Sequence, residues 1–227
     1  SNGFHNSLHG CLSSLQAIDR GDSSGIAATK DLVDASLTAS AVRLQSCSSG
    51  DAVAQNYVQL QMLASVHYAL NALDSPMKLK ELAEQWTDSL DPQPKSSVQW
   101  TAAQFGLLEP LWRVRANLLA HAARRFPPAH NLNHNAKTSM ENITAGDLAA
   151  LHLLRMAARA RSRGTSSGMQ QSESLQLGLR WLREAETLPG LTRNVLLRTR
   201  WLQARCFWDL GESRRAVGIA RCIADEC

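Results

Sequence analysis

Apolar residues in this chain recur every three to four positions, segment after segment, and nowhere alternate with period 2 for long enough to build a strand. Phe4, Leu8, Cys11, Leu12 and Leu15 form the first stripe, closed by a turn rich in Gly, Asp and Ser at 19–25. Leu32, Ala35, Leu37 and Val42 mark a second helix over about 26–47, broken by Ser48-Ser49-Gly50-Asp51. Asp51 is placed to cap a third helix, about 52–73, carrying Val53, Tyr57, Leu60, Leu63, Ala64 and Val66. Pro76 suits the first turn of a fourth helix reaching about Leu90, because a first-turn residue needs no amide hydrogen.

The second half repeats the pattern. Asp91-Pro92-Gln93-Pro94-Lys95 is a connector, and Val98–Phe126 is helical again with a break or kink expected at Pro110. Residues 127–139 hold Pro-Pro, three Asn and two His and read as a long loop. Thr144 caps a helix over about 145–163, and the Gly/Ser stretch 164–171 reads as a flexible connector. Helices over about 172–188, 191–210 and 212–225 follow. Aromatics make up only 5 % of the chain, and unbranched Leu, Ala, Gln and Arg outnumber β-branched residues, which lose more rotamer freedom in a helix. The expected fold is therefore all-α: eight to ten helices in antiparallel pairs forming a tetratricopeptide-like α-solenoid.

The last pair carries most of the repeat argument. Ala204, Phe207, Leu210, Gly211 and Ala216 take the small, aromatic, leucine, turn-glycine and alanine positions of such a repeat. Small residues let two helices approach, and the aromatic fills the groove between them. Trp201 is placed with them as a packing residue, and Trp181 and Trp208 read as packing anchors too. The chain is treated as one solenoid over 1–227, with sub-blocks 1–126 and 140–227 on either side of the 127–139 loop.

Charge is split. Residues 1–110 hold 6 Lys/Arg against 11 Asp/Glu, a net −5, while 111–227 hold 18 against 9, a net +9. Arg155, Arg159 and Arg163 recur every four residues and make a candidate basic contact surface of the kind that phosphate backbones bind. The plainer reading, an arginine ridge meeting solvent or an acidic protein surface, outweighs direct nucleic-acid contact. The five cysteines include no C-x-x-C pair and are odd in number, so they read as reduced apolar residues rather than a disulfide framework. With no signal peptide and no apolar run of membrane-spanning length, the chain is expected to be intracellular and free of the membrane.

Catalytic and metal chemistry is poorly supplied. His5 and His9 share a helix face, and His130 and His134 share the 127–139 loop with His121 nearby, but neither group has a third ligand in sequence. No phosphate-binding glycine loop, dinucleotide fingerprint or kinase catalytic loop is present. No catalytic, cofactor-binding or metal residue is therefore assigned.

Four colinear stretches resemble a known family. Phe4-His5-Asn6-Ser7-Leu8 with Cys11-Leu12-Ser13-Ser14-Leu15 resembles the opening of the FAT region in the ataxia-telangiectasia mutated (ATM) kinases, which are phosphatidylinositol-3-kinase-related Ser/Thr protein kinases. Tyr57-Val58-Gln59-Leu60-Gln61-Met62-Leu63-Ala64, the segment from Phe105 through Glu109-Pro110-Leu111-Trp112-Arg113-Val114-Arg115, and Trp201 to Trp208 with 213–219 are similar to later helices of that region. The resemblance implies a non-catalytic segment of a very large nuclear kinase acting in the response to DNA double-strand breaks. Neighbouring solenoid and kinase elements of the same protein, and a homodimer contact, would be its partners. ATP and Mg would be held only by a kinase domain outside this chain. The family phosphorylates Ser or Thr followed by Gln, and neither dipeptide occurs here. Two rivals stand beside this reading: a stand-alone tetratricopeptide-like adaptor for a protein or peptide, and a basic nucleic-acid-binding helical array.

Overall fold

A computed structural model describes residues 8, 9, 11–13, 15, 24–72, 75–88, 102–125, 143–164 and 168–226. Among these, every regular element is a helix: α1 (Ser24–Gln45), α2 (Gly50–Ala72), α3 (Pro76–Asp88), α4 (Ala102–Arg125), α5 (Ala145–Gly164), α6 (Gly168–Glu186), α7 (Arg193–Asp209) and α8 (Ser213–Glu226). Residues 8, 9, 11–13 and 15 are helical as well. The 91–95 connector and the 127–139 loop lie outside the described residues. No described helix is long and apolar enough to cross a membrane. The chain divides into two compact units, Ser1–Leu82 with Trp100–His121, and Ala83–Gln99 with Ala122–Cys227.

Local chemistry sets the helix ends. Ser49, rather than Asp51, caps α2: its Oγ accepts the Ala52 N–H at 3.3 Å, and Asp51 falls inside the first turn, where a carboxylate still favours the helix dipole. Pro76 opens α3 as the sequence suggests, after Ser75. Helix α4 is continuous through Pro110, so of the break or kink expected there the break does not occur. Pro110 and Gly106, whose carbonyl loses its partner, are both exposed, so that carbonyl can turn to water. Helix α6 begins at Gly168, so the second half of the expected Gly/Ser connector is already helical.

In the first unit α1 packs on α2. Val58, Met62, Val66 and Leu70 form the buried stripe of α2, and Val33 is the buried apolar residue of α1. His67 Nδ1 of α2 lies 2.8 Å from Asp34 Oδ1 of α1. Arg115 of α4 donates from Nε to Ser65 Oγ at 3.1 Å, and burial lowers its pKa to about 10 against the opposing pull of Tyr57. Phe105 and Trp112 meet edge to face at 5.5 Å within the buried side of α4.

In the second unit α5, α6, α7 and α8 pack in sequence, with α5 also touching α7. The α5–α6 seam is built from small residues: a Cβ added at Gly178 would sit 3.4 Å from the Ala157 carbonyl oxygen and 3.7 Å from the Ala160 Cβ. Thr144 caps α5 as its sequence suggests, and in a reciprocal capping box. Its Oγ1 accepts the Asp147 N–H at 3.0 Å, while its own N–H donates to Asp147 Oδ2 at 3.2 Å. The same residues tie α5 to the turn before α7. Thr192 donates to Asp147 Oδ1 from its N–H at 2.8 Å and its hydroxyl at 3.1 Å, and Thr144 Oγ1 donates to the Gly190 carbonyl at 2.8 Å. Asp147 is buried, and these donors are what make its burial tolerable.

Candidate interaction groove

The α7–α8 corner shapes a groove on the second unit. Glu212 N–H bonds to Phe207 O and Gly211 N–H to Trp208 O, the paired bonds of a Schellman turn. Gly211 takes φ 79°, the left-handed conformation that a glycine after a helix supplies without steric cost. The turn folds α8 back so that Ala216 is buried, along with Ala204 and Phe207 of α7. Ala204, Phe207, Gly211 and Ala216, all read from sequence as repeat positions, thus meet at one corner.

Trp201 does not. Its ring is 55 % exposed, and Trp208 is 62 % exposed, whereas Trp181 on α6 is completely buried. The helical period decides this: Val195, Thr199, Leu202 and Cys206 define the inner face of α7, and Trp201 falls outside that arc. Of the three tryptophans read as packing anchors, only Trp181 is one.

A cavity of about 570 Å³ opens between the two helices and the end of α6, a volume in the range of small-ligand and side-chain pockets. Phe207, Gly218, Ile219 and Cys222 give it an apolar surface. Charged groups edge it in pairs. Arg200 bridges Glu186, at 3.7 Å, and Glu226, to which its Nη1 donates. Arg215 lies over the Phe207 ring, 5.8 Å from its centroid, and donates to Glu212 at 2.7 Å. Gln203 also lines the cavity; it is buried, and its Nε2 meets no acceptor among the described residues. A buried amide donor without a partner costs free energy that a bound carbonyl or carboxylate would recover. The groove can thus hold an apolar side chain together with a polar main-chain or carboxylate group.

Cys206, on the inner face of α7, is completely buried, and burial pushes its thiol up to about 11 despite the opposing charge of Arg161. A thiol held protonated at neutral pH is a packing group rather than a nucleophile.

The basic stripe takes a different form from its sequence reading. Arg155 and Arg159 are half-buried and engaged within the chain, and the side chain of Arg163 lies outside those described. Arg161, which falls beside the stripe, is committed to Asp209 at 2.6 Å. Of the histidine candidates, His9 is exposed and lies 3.3 Å from Ser13 Oγ, His121 is buried and engaged, and His5, His130 and His134 lie outside the described residues. No group of three or more His, Cys, Asp or Glu converges among the described residues.

Sequence reasoning passed over Gln203, the capping-box acid Asp147 and the close approach at Gly146. A signal existed for Asp147, three residues after Thr144, although the acidic box member is more often Glu. Nothing in sequence marks Gln203, because whether an amide finds a partner is settled by tertiary packing. No family model, curated protein or solved structure matches this chain.

Proposed function

We propose that this chain is a non-catalytic helical scaffold: a FAT-like segment of an ATM-type Ser/Thr protein kinase whose antiparallel helix pairs form a tetratricopeptide-like solenoid. Its work is to hold neighbouring solenoid and kinase elements in position within a nuclear enzyme of the double-strand-break response. The observation that carries the scaffold reading is the α7–α8 corner. Ala204, Phe207 and Ala216 pack there behind a left-handed Gly211, the arrangement by which one helix pair can stack on the next. The kinase assignment rests on the four colinear sequence resemblances, which run from Phe4 to Ile219.

A solenoid arm transmits displacement because each repeat contacts only its neighbours, so a shift in one region can bias an attached active site. Sequencing the transcript that encodes these residues tests the assignment directly. The expected frame continues for several hundred residues into a kinase catalytic loop; a stop codon shortly after Cys227 would remove the kinase parent.

The cavity beside Gln203 favours a second reading, an adaptor that takes a peptide in the groove. Isothermal titration with a random peptide library distinguishes the two. Saturable binding abolished by Gln203→Leu supports the adaptor, and heat changes indifferent to Gln203 count against it.

A further inference from the structure

Helix α7 has a second surface, separate from the groove. Arg198, Trp201, Arg205 and Trp208 follow one another at intervals of three, four and three residues, so they share one arc of the helix. At 100° per residue that arc lies roughly 150° round α7 from Arg200, Gln203 and Phe207, which line the cavity. All four side chains are exposed. Neither arginine forms an ion pair among the described residues, and the single carboxylate on α7, Asp209, is committed to Arg161. Arg214 and Arg221, on exposed positions of α8, add the same charge and likewise have no such partner.

The stripe thus presents two large aromatic surfaces between uncompensated positive charges on a rigid helix. Tryptophan and arginine are the residue types that dominate protein-interface energetics, since a buried indole contributes area and a guanidinium pairs bidentately with carboxylate. We infer that this face docks an acidic amphipathic helix of a partner protein. The charge on the stripe calls for carboxylates, and its spacing selects a helix. Trp201 to Trp208 and Arg198 to Arg205 each span seven residues, about 10.5 Å along the axis. A second α-helix repeats its own face at that interval, so carboxylates seven apart meet the arginines while apolar residues between them cover the indoles. A stacked single-stranded nucleic acid advances only about 3.4 Å per nucleotide, leaving successive bases without platforms between the two rings. The inference holds whatever the parent protein is, because it uses only the exposed face of α7.

The test uses the 227-residue chain and a fluorescein-labelled peptide of roughly 20 residues, long enough to be helical, with Glu at every seventh position and Leu three and four residues on. Saturable anisotropy binding is expected, weakened about tenfold or more by Arg205→Glu and by the Trp201→Ala/Trp208→Ala pair. A peptide carrying Arg in place of only the Glu that faces position 205 should recover binding to the Arg205→Glu chain. Val42→Ser, on α1, should leave affinity unchanged. All of these positions are exposed, and circular dichroism checks that each variant folds. Absence of saturable binding would overturn the inference, as would binding unaffected by the Arg205 and tryptophan changes. Displacement of the peptide by single-stranded DNA, with a strong salt dependence, would overturn it in favour of nucleic acid.

Discussion

Helices α5 and α6 meet through alanine and glycine, while α7 and α8 leave tryptophan in the open, and the two pairs are built for different ends. In the first pair Leu153, Met156, Trp181 and Leu182 all point inward, and the small residues Ala157, Ala160 and Gly178 let the backbones close up behind them. In the second, Ala216 is the one residue α8 buries, and α7 turns Trp201 and Trp208 outward. The same residue type is a core element on α6 and a surface element on α7. Position in the helical period, not hydrophobicity, separates them. A pair that closes on itself supplies stability; a pair that leaves aromatic area open is available for the contact inferred above.

The contrast is sharpest under truncation of a tryptophan. Trp181→Ala should destabilise the chain by about 3–5 kcal/mol in urea titration, because the indole is wholly enclosed and its loss leaves a cavity. A loss below about 1 kcal/mol would mean that the α5–α6 region is loosely packed, and the comparison would fail. Gly146→Val probes the same region from the backbone. A Cβ there would lie 2.0 Å from the Pro189 carbonyl oxygen, so α5 and the turn before α7 must separate. A cost of about 3 kcal/mol is expected, and a near-neutral variant would show that the turn yields freely.

How far the sequence carries the fold can be judged at particular residues. Thr144 and Gly211 were legible because a cap and a left-handed turn are local: their chemistry is complete within a few residues of chain. The helices from α1 to α8 were legible as elements, but the faces of the first two were not: Leu32, Ala35, Val42, Val53 and Tyr57, read as apolar stripe positions, are exposed, and Val33 is buried instead. Trp201 misled because the repeat pattern assigns a position by sequence offset, whereas its burial depends on which side of α7 faces α6 and α5. The spacing of Arg198, Trp201, Arg205 and Trp208 was visible in sequence, but spacing alone does not say whether such a face is covered. Arg161, which adjoins the Arg155–Arg159–Arg163 stripe in sequence, shows the converse: only the fold places Asp209, 48 residues away, beside it. The bounds of α2 turned on Ser49 against Asp51, two residues of equal capping ability that only the hydrogen bond to Ala52 separates.

Two smaller effects sharpen the comparison within α7. Cys206 on its inner face has a folded-state thiol pKa of about 11, raised above the ordinary 9.0 by burial. Between those values the unfolded chain loses the proton while the folded chain keeps it, so this group's contribution to stability falls as pH rises from about 9 to 11. The full loss is at most about 3 kcal/mol, and Cys206→Ala should remove it, giving a shallower fall in urea midpoint across that window. Parallel slopes for the two proteins would place water at the thiol. Gly211→Ala acts at the corner itself, where open space surrounds the α-carbon and the cost is purely conformational. About 1 kcal/mol is expected from holding an L-residue at φ 79°. A melting temperature equal to the parent's would mean that the corner can relax to another turn.

The smallest predicted change is the one that most clearly divides the two helix pairs. Trp208→Ala, made in the isolated chain, should alter stability by less than about 0.5 kcal/mol, since the ring is largely solvated and its removal leaves no cavity. Trp201→Ala should behave the same way, against the loss of about 3–5 kcal/mol that a packed ring in a repeat would show. The acidic helix turns this null result into a positive one. If the face is for contact, the same substitutions should become costly once the helix is bound, because ligand bound to the folded chain stabilises it and the variant forfeits that increment. Urea titration with and without the Glu/Leu peptide measures both terms on one protein. A large loss without peptide would return Trp208 to the core, and an equally small loss in its presence would leave the exposed indoles without a role in binding.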